Sequence, residues 1–195
     1  NYYFLRINGK EGDETPLFIF VDPPETEVSS PKDAKVRYFG PGVHDIGPHY
    51  EVQEGETVYL AGGALVRGTI DSKGKNVRIL GRGILSGEAM QIEWMKYKRT
   101  SYENPGDTTK PVGWKGPEGW LPMLWLEGAG ARVEGITLMD APQFCINMMN
   151  SKNSKLKNLK LMAWNYSSDG LSTGENTTLE NAFFKVNDDV FTLYR

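Results

Sequence analysis

Cysteine and histidine are scarce in this chain, and it has no excess of basic charge. One cysteine, Cys145, stands in 195 residues, which excludes an internal disulfide framework and a zinc site built on thiolates. Set in "QFCIN", it reads as a small buried hydrophobe. Formal net charge is −3 at pH 7 and the pI about 5.5, so there is no basic field to hold nucleic acid or an anionic membrane. Apolar runs such as "PLFIFV" are far too short to span a bilayer. The opening "NYYFLRINGKEG" lacks the basic start and apolar core of a signal peptide. With no initiating Met and a strand pattern at its end, the chain reads as an internal fragment, for which a missing signal says nothing about secretion.

Helical signal is scarce as well, since no long apolar pattern repeats every 3.6 residues. Glycine, at 22 residues, together with β-branched and aromatic side chains, outweighs the helix formers. Residues 1–28 predict two strands, "YYFLRI" and "PLFIFVD", joined by the polar "NGKEGDETP". They read as the tail of an N-terminal β-sandwich. The Pro- and Ser-rich "PPETEVSSPKD" reads as a linker, residues 29–35 leading into a second domain over 36–195.

From Val36 onward short apolar runs recur, each closed by Gly, Asn or Asp, as in "TVYLAGGALVRGTI" and "KNVRILGRGILSG". Strand starts at Leu124, Cys145, Gly170 and Val190 are separated by 21, 25 and 20 residues. Such a period, with several short strands per repeat and no helix between, predicts an all-β parallel β-helix. The phrase at Ser72–Ile79 recurs as "SKLKNLKL" at Ser154–Leu161, with "NTTLENAFF" a variant; each reads as one turn followed by one inward-facing strand. A β-sandwich is the competing architecture. Against it, hairpin signals are scarce after residue 40, Asp169-Gly170 being the one candidate.

The chemistry sits in "WNYSSDGLS" and "VNDDVFTLYR". Two adjacent carboxylates, Asp188 and Asp189, lie among strand formers, where they repel each other and resist losing water. Stacked coils lie about 4.8 Å apart, so equivalent positions form ladders. Setting "FCIN", "DGLS" and "DVFT" in register puts Phe144, Asp169 and Asp189 in one column and Gln143, Ser168 and Asp188 in the next. Three carboxyl groups then converge and titrate as a coupled set. Glycoside hydrolysis needs that arrangement, with one carboxyl protonated for the leaving oxygen and another ionised to activate water. Asp188 and Asp189 share a site only if a bend at Asn187 separates them. The same residues with Glu175 would also suit calcium, or a solvated turn.

Residues 88–122 interrupt the repeat with Trp94, Tyr97, Tyr102, Trp114 and Trp120 among Lys, Gly and Pro. Flat aromatic faces suit sugar rings; a lid over the core is the plainer reading. Substrate contacts are expected from Trp114, Trp120, Trp164, Asn165, Gln143 and Tyr194, and an anion contact from Arg195 if the substrate is a uronide. His44 and His49 with Asp45 between them faintly suggest a metal site, a capping turn being the simpler reading. Asn165 and Asn176 head sequons of the glycosylation type.

The segments "VYLAGGALVRGTI", "GRGILSGE", "SSDGLS" and "TTLENAFFKVNDDVFTLY" together resemble glycoside hydrolase family 49, the dextranase and isopullulanase family, over roughly residues 36–195. More loosely they resemble family 28, the polygalacturonases, which have "NTDG" and "GDD" where this chain has "SSDG" and "NDD". The resemblance implies a right-handed parallel β-helix preceded by a β-sandwich. It makes Asp188 the general acid, with Asp169 and Asp189 positioning and activating water, in a reaction that inverts the anomeric centre. It implies no metal and no other cofactor, and a polysaccharide partner, an α-glucan such as dextran ahead of pectin. It further implies a monomer that is secreted or periplasmic. A carbohydrate-binding β-helix without catalysis is the reading from a different class, and a calcium-stabilised structural β-helix another.

Overall fold

The computed structural model describes residues 2–5, 17–90, 121–165 and 167–193. Strands β1 (Tyr2–Leu5) and β2 (Leu17–Phe20) pair antiparallel in a sheet of their own. Everything from Val36 onward is parallel. The chain winds past three faces in turn, and the strands of successive coils pair in register.

The first face stacks β3 (Val36–Phe39), β5 (Thr57–Leu60), β7 (Arg78–Gly81), β10 (Arg132–Glu134) and the first halves of β13 (Lys155–Met162) and β15 (Thr178–Lys185). The second face stacks the start of β4 (Gly42–Glu51) and β6 (Ala64–Ser72), then β8 (Ile84–Ser86), β11 (Thr137–Met139) and the second halves of β13 and β15. The third face stacks the ends of β4 and β6, then β9 (Leu124–Leu126), β12 (Ile146–Asn147), β14 (Leu171–Ser172) and β16 (Phe191–Thr192). The fold is a parallel β-helix, and the sandwich alternative is set aside.

Three inward ladders make the core. Val58, Ile79, Val133 and Leu156 line the first face, Val66, Leu85, Leu138 and Leu161 the second, and Ile70, Leu124, Ile146 and Leu171 the third, all at most 1% exposed. Each such side chain stabilises the fold by roughly 1.5–3 kcal/mol through apolar burial. Because side chains alternate with period two, the ladders also set the register. Leu124 pairs with Ile146, one residue beyond the Cys145 start that spacing alone predicts, since pairing with Cys145 would turn Leu124 outward. From Ile146 onward the predicted register holds: Ile146, Leu171 and Phe191 align.

The corners explain the recurring Gly and Asn. Between the first and second faces the left-handed backbone falls on Gly81, Gly135, Asn158 and Asn181, with φ of 125°, 85°, 54° and 55°. A Cβ on Gly81 would meet the Leu60 carbonyl oxygen at 1.9 Å, so this corner admits no side chain. In the later coils asparagine takes the same conformation, and the Asn181 amide donates to Asn158 Oδ1 at 2.6 Å. A second column, between the third and first faces, ends in Asn153 and Asn176, joined amide to amide at 3.2 Å. "SKLKNLKL" is therefore a strand, a corner at Asn158 and a second strand, rather than one turn and one strand.

The segment read as a linker is docked. Asp22 pairs with Lys160 and with Arg82, the Pro23 carbonyl accepts from Arg82 at 2.7 Å, Tyr59 donates to Glu25 at 2.9 Å, and Glu27 pairs with Arg78 and Arg132. Proline fixes the extended backbone, and the acidic side chains fasten it along the first face. Phe18 and Phe20 of β2 pack on Phe183 with ring centroids 5.5 and 5.1 Å apart.

Candidate active site

The two acidic stretches arrive at the third face as bends, not strands. Regular pairing in the last coil begins only at Phe191, and Asn187 and Asp188 lie in a bend. The Asp189 amide donates to Asp188 Oδ1 at 3.1 Å, a local turn that relieves the strict alternation of faces. Asp169 likewise sits two residues before β14.

The ladder bonds run straight through this region. The Cys145 amide donates to the Asp169 carbonyl at 2.8 Å, and the Gly170 amide to the Asp189 carbonyl at 2.8 Å. Phe144, Asp169 and Asp189 therefore occupy successive rungs. Asp169-Gly170 is no hairpin. A Cβ on Gly170 would lie 2.5 Å from the Val190 carbonyl and 2.8 Å from the Phe184 ring, so glycine is what lets the last coil close onto the one bearing Asp169.

A polar brace holds the two bends together; the sequence points to the bend at Asn187 but not to these bonds. Ser168 Oγ donates to the Asn165 carbonyl at 2.6 Å and accepts from the Asn187 amide at 3.3 Å. Asn187 Nδ2 also reaches the Asn165 carbonyl, at 3.4 Å. The signal was present in the serine before Asp169 and the asparagine before Asp188, one coil apart.

Electrostatically the set is unbalanced. Asp169 is 5% exposed, and its carboxyl is pushed up to about 7, first by burial and then by the charges of Asp188 and Asp189. Asp188 and Asp189 are exposed. Among the described residues no cation forms an ion pair with any of the three. The set thus joins a buried carboxyl that titrates near neutrality to two acidic side chains open to water. Burial and Asp169 push the neighbouring Cys145 thiol up, so it is no nucleophile.

The other expected contacts divide. Trp164 stands exposed at 49% just before the brace. Asn165 is spent on structure, its amide donating to the Ala141 carbonyl at 2.9 Å. Gln143 is fully buried, its Oε1 accepting from the Leu121 amide at 2.9 Å. Trp94, Tyr97, Tyr102, Trp114, Trp120, Tyr194 and Arg195 lie outside the described residues. Glu175 belongs to the far corner, bridging to Lys152 at 3.6 Å, and takes no part in an acidic oxygen cage. His44, Asp45 and His49 turn to different partners, the Gly40 carbonyl, Arg67 and Asp71. Among the described residues no group of three or more His, Cys, Asp or Glu is arranged for a metal ion, and no helix is long and apolar enough to cross a membrane.

No protein-family model matches the chain. It is 24% identical to a dextranase of Arthrobacter sp. (strain CB-8) over 93% of its own length and 30% of that protein. It is 25% identical to the dextranase of Arthrobacter globiformis over 90% of its length and 28% of that protein. The chain thus spans under a third of the curated relatives it matches. Its fold is that of the family 28 exopolygalacturonase of Yersinia enterocolitica, with a TM-score of 0.65 at 14% identity over 81% of this chain and 38% of that one. These likenesses agree with the resemblance seen in "GRGILSGE", "SSDG" and "NDDV".

Proposed function

We propose that this chain carries the catalytic carboxylates of an inverting, β-helix glycoside hydrolase acting on a neutral α-glucan such as dextran. The observation that carries the reading is the juxtaposition of buried Asp169, its carboxyl pushed up to about 7, with exposed Asp188 and Asp189, none of them ion-paired to a cation among the described residues. In the reaction Asp188 donates a proton to the glycosidic oxygen as the bond to the anomeric carbon breaks. A water held by Asp169 and Asp189 attacks that carbon from the opposite face and gives up its proton to them. In the free protein the shared proton rests on Asp169. A sugar covering Asp188 removes its water and draws the proton there, as expected of a coupled set.

The choice of a neutral glucan is supported by charge. The outward column of the third face reads Glu51, Asp71, Trp125, Asn147, Ser172, Thr192, without a cation. A galacturonan, with a carboxylate on every ring, would be repelled there. Dextran is a polymer met outside the cytoplasm, so the reading carries with it a secreted or periplasmic enzyme.

The test is to offer the full-length protein dextran, pullulan and polygalacturonate while following the first anomer released by proton NMR. Release of the β-anomer from dextran is the expected result. Release of the α-anomer, hydrolysis of polygalacturonate alone, or sugar binding without any hydrolysis would each overturn the reading.

A further inference from the structure

The outward column of the third face contains a second group of residues, two coils before the acids. Trp125 lies between Leu124 and Leu126, which are 0% and 1% exposed in the core, so its indole faces outward. Its neighbour one coil earlier is Asp71, which pairs in register with Trp125 and lies beside Glu51 in the column. Asp71 is held by His49, whose Nδ1 lies 2.6 Å from Asp71 Oδ2. His49 is itself fixed in the left-handed region, φ 55°, its amide donating to Thr69 Oγ1 at 2.8 Å. That is a strained backbone for a histidine, and its effect is to hold the imidazole over Asp71. Asp71 Oδ1 is buried and has no hydrogen-bond partner among the described residues.

On the other side of Trp125 comes Asn147, 1% exposed. Its Oδ1 accepts from the Met149 amide at 3.2 Å, and its buried Nδ2 donor has no partner among the described residues. A buried amide donor left unpaired costs about 1–3 kcal/mol, a cost that persists where a ligand supplies the acceptor. The column thus offers a flat aromatic face, an anchored carboxylate with a buried oxygen, and a buried amide donor, the last two without a hydrogen-bond partner among the described residues. Hydroxyl groups of a sugar pair with the last two, and its C–H face lies on the first. The spacing from Trp125 to the rung of Asp169 is two coils, roughly 10 Å.

We propose that Asp71, Trp125 and Asn147, with His49 positioning Asp71, form a binding floor for neutral sugar units remote from the scissile bond. The proposal rests on the glycan-cleaving reading of the acidic set, and adds that the chain being cut must be long enough to lie across the coils bearing both groups. Carboxylates at Glu51 and Asp71 make the floor selective for uncharged rings.

Binding is read in full-length protein carrying Asp188→Asn, by calorimetry with dextran oligomers of increasing length and with oligogalacturonate. Adding Trp125→Ala weakens the long dextran oligomers on the order of tenfold or more and leaves the disaccharide unchanged, while Trp125→Phe recovers part of the loss. Asp71→Asn gives a smaller loss of the same length dependence. Equal affinity for long oligomers with and without Trp125, or equal weakening of long and short, overturns the floor. Tighter binding of oligogalacturonate than of dextran oligomers overturns its selectivity. Should the Asp188→Asn protein still cleave dextran, the catalytic reading fails, and the length dependence, read then on a non-hydrolysable thio-linked oligomer, still decides the floor.

Discussion

Two acidic groups occupy different faces of this solenoid and meet opposite fates. Along the first face and its corner with the second, Asp22, Glu27 and Glu134 lie against Arg78, Arg82, Arg132 and Lys160. On the third face, Asp169, Asp188 and Asp189 lie against one another, and burial with mutual repulsion pushes Asp169 up to about 7. Carboxylates of the first kind fasten a strap to a wall and are finished with charge. Under the proposed reading, those of the second kind keep a proton to give and a charge to use. What separates structural from reactive acid here is the neighbour, not the residue type.

Four substitutions sharpen that comparison. The largest effect is expected from Asp188→Asn in the full-length protein, about 10³-fold in kcat on dextran or more, with the melting temperature kept. Steady-state kinetics reads it, and a rate near that of the parent breaks the assignment. Next comes the strap. Asp22→Asn strands Lys160, 3% exposed, and is expected to destabilise by about 3 kcal/mol in urea unfolding. Combining it with Lys160→Met restores most of the loss, because the cost is that of a buried charge without a partner.

The third substitution has the opposite sign. The folded carboxyl of Asp169 titrates above its unfolded value, so the native state holds a proton between roughly pH 4 and 7 that the unfolded chain has lost. Its stabilising contribution is present at the acid end and is lost as pH rises through about 7. Asp169→Asn should therefore stabilise by roughly 2 kcal/mol at pH 8, with little effect at pH 4, read as melting temperature against pH. A loss of stability at pH 8 would class Asp169 with the strap acids. The smallest effect is that of Asn181→Ala, which breaks the 2.6 Å ladder bond to Asn158 and costs about 1 kcal/mol.

Much of this was legible in the chain. The period of the short apolar runs predicts the β-helix, and "FCIN", "DGLS" and "DVFT" align as they pair in the structure. The one-residue slip at Leu124 arises because which of two adjacent apolar residues faces inward is decided by the neighbouring coil. Asn158 and Asn181 were visible as punctuation, but their ladder depends on left-handed backbone that only stacking reveals. The strap was missed because its partners, Arg78, Arg132 and Lys160, lie up to 138 residues away, and charge pairing at that distance leaves no local pattern. Trp125 and Asp71 escaped for a related reason: a column across coils is contiguous in space and scattered in sequence.

The central claim is that stacked coils force three converging carboxyls, paired with no cation among the described residues, to titrate in part near neutrality. Titrating the Asp169 carboxyl carbon by NMR in the full-length protein tests it most directly. A midpoint near 7, falling partway toward the ordinary carboxylate value when Asp188 and Asp189 are both changed to Asn, is the predicted result. An ordinary midpoint near 4, or one indifferent to those two residues, would contradict it.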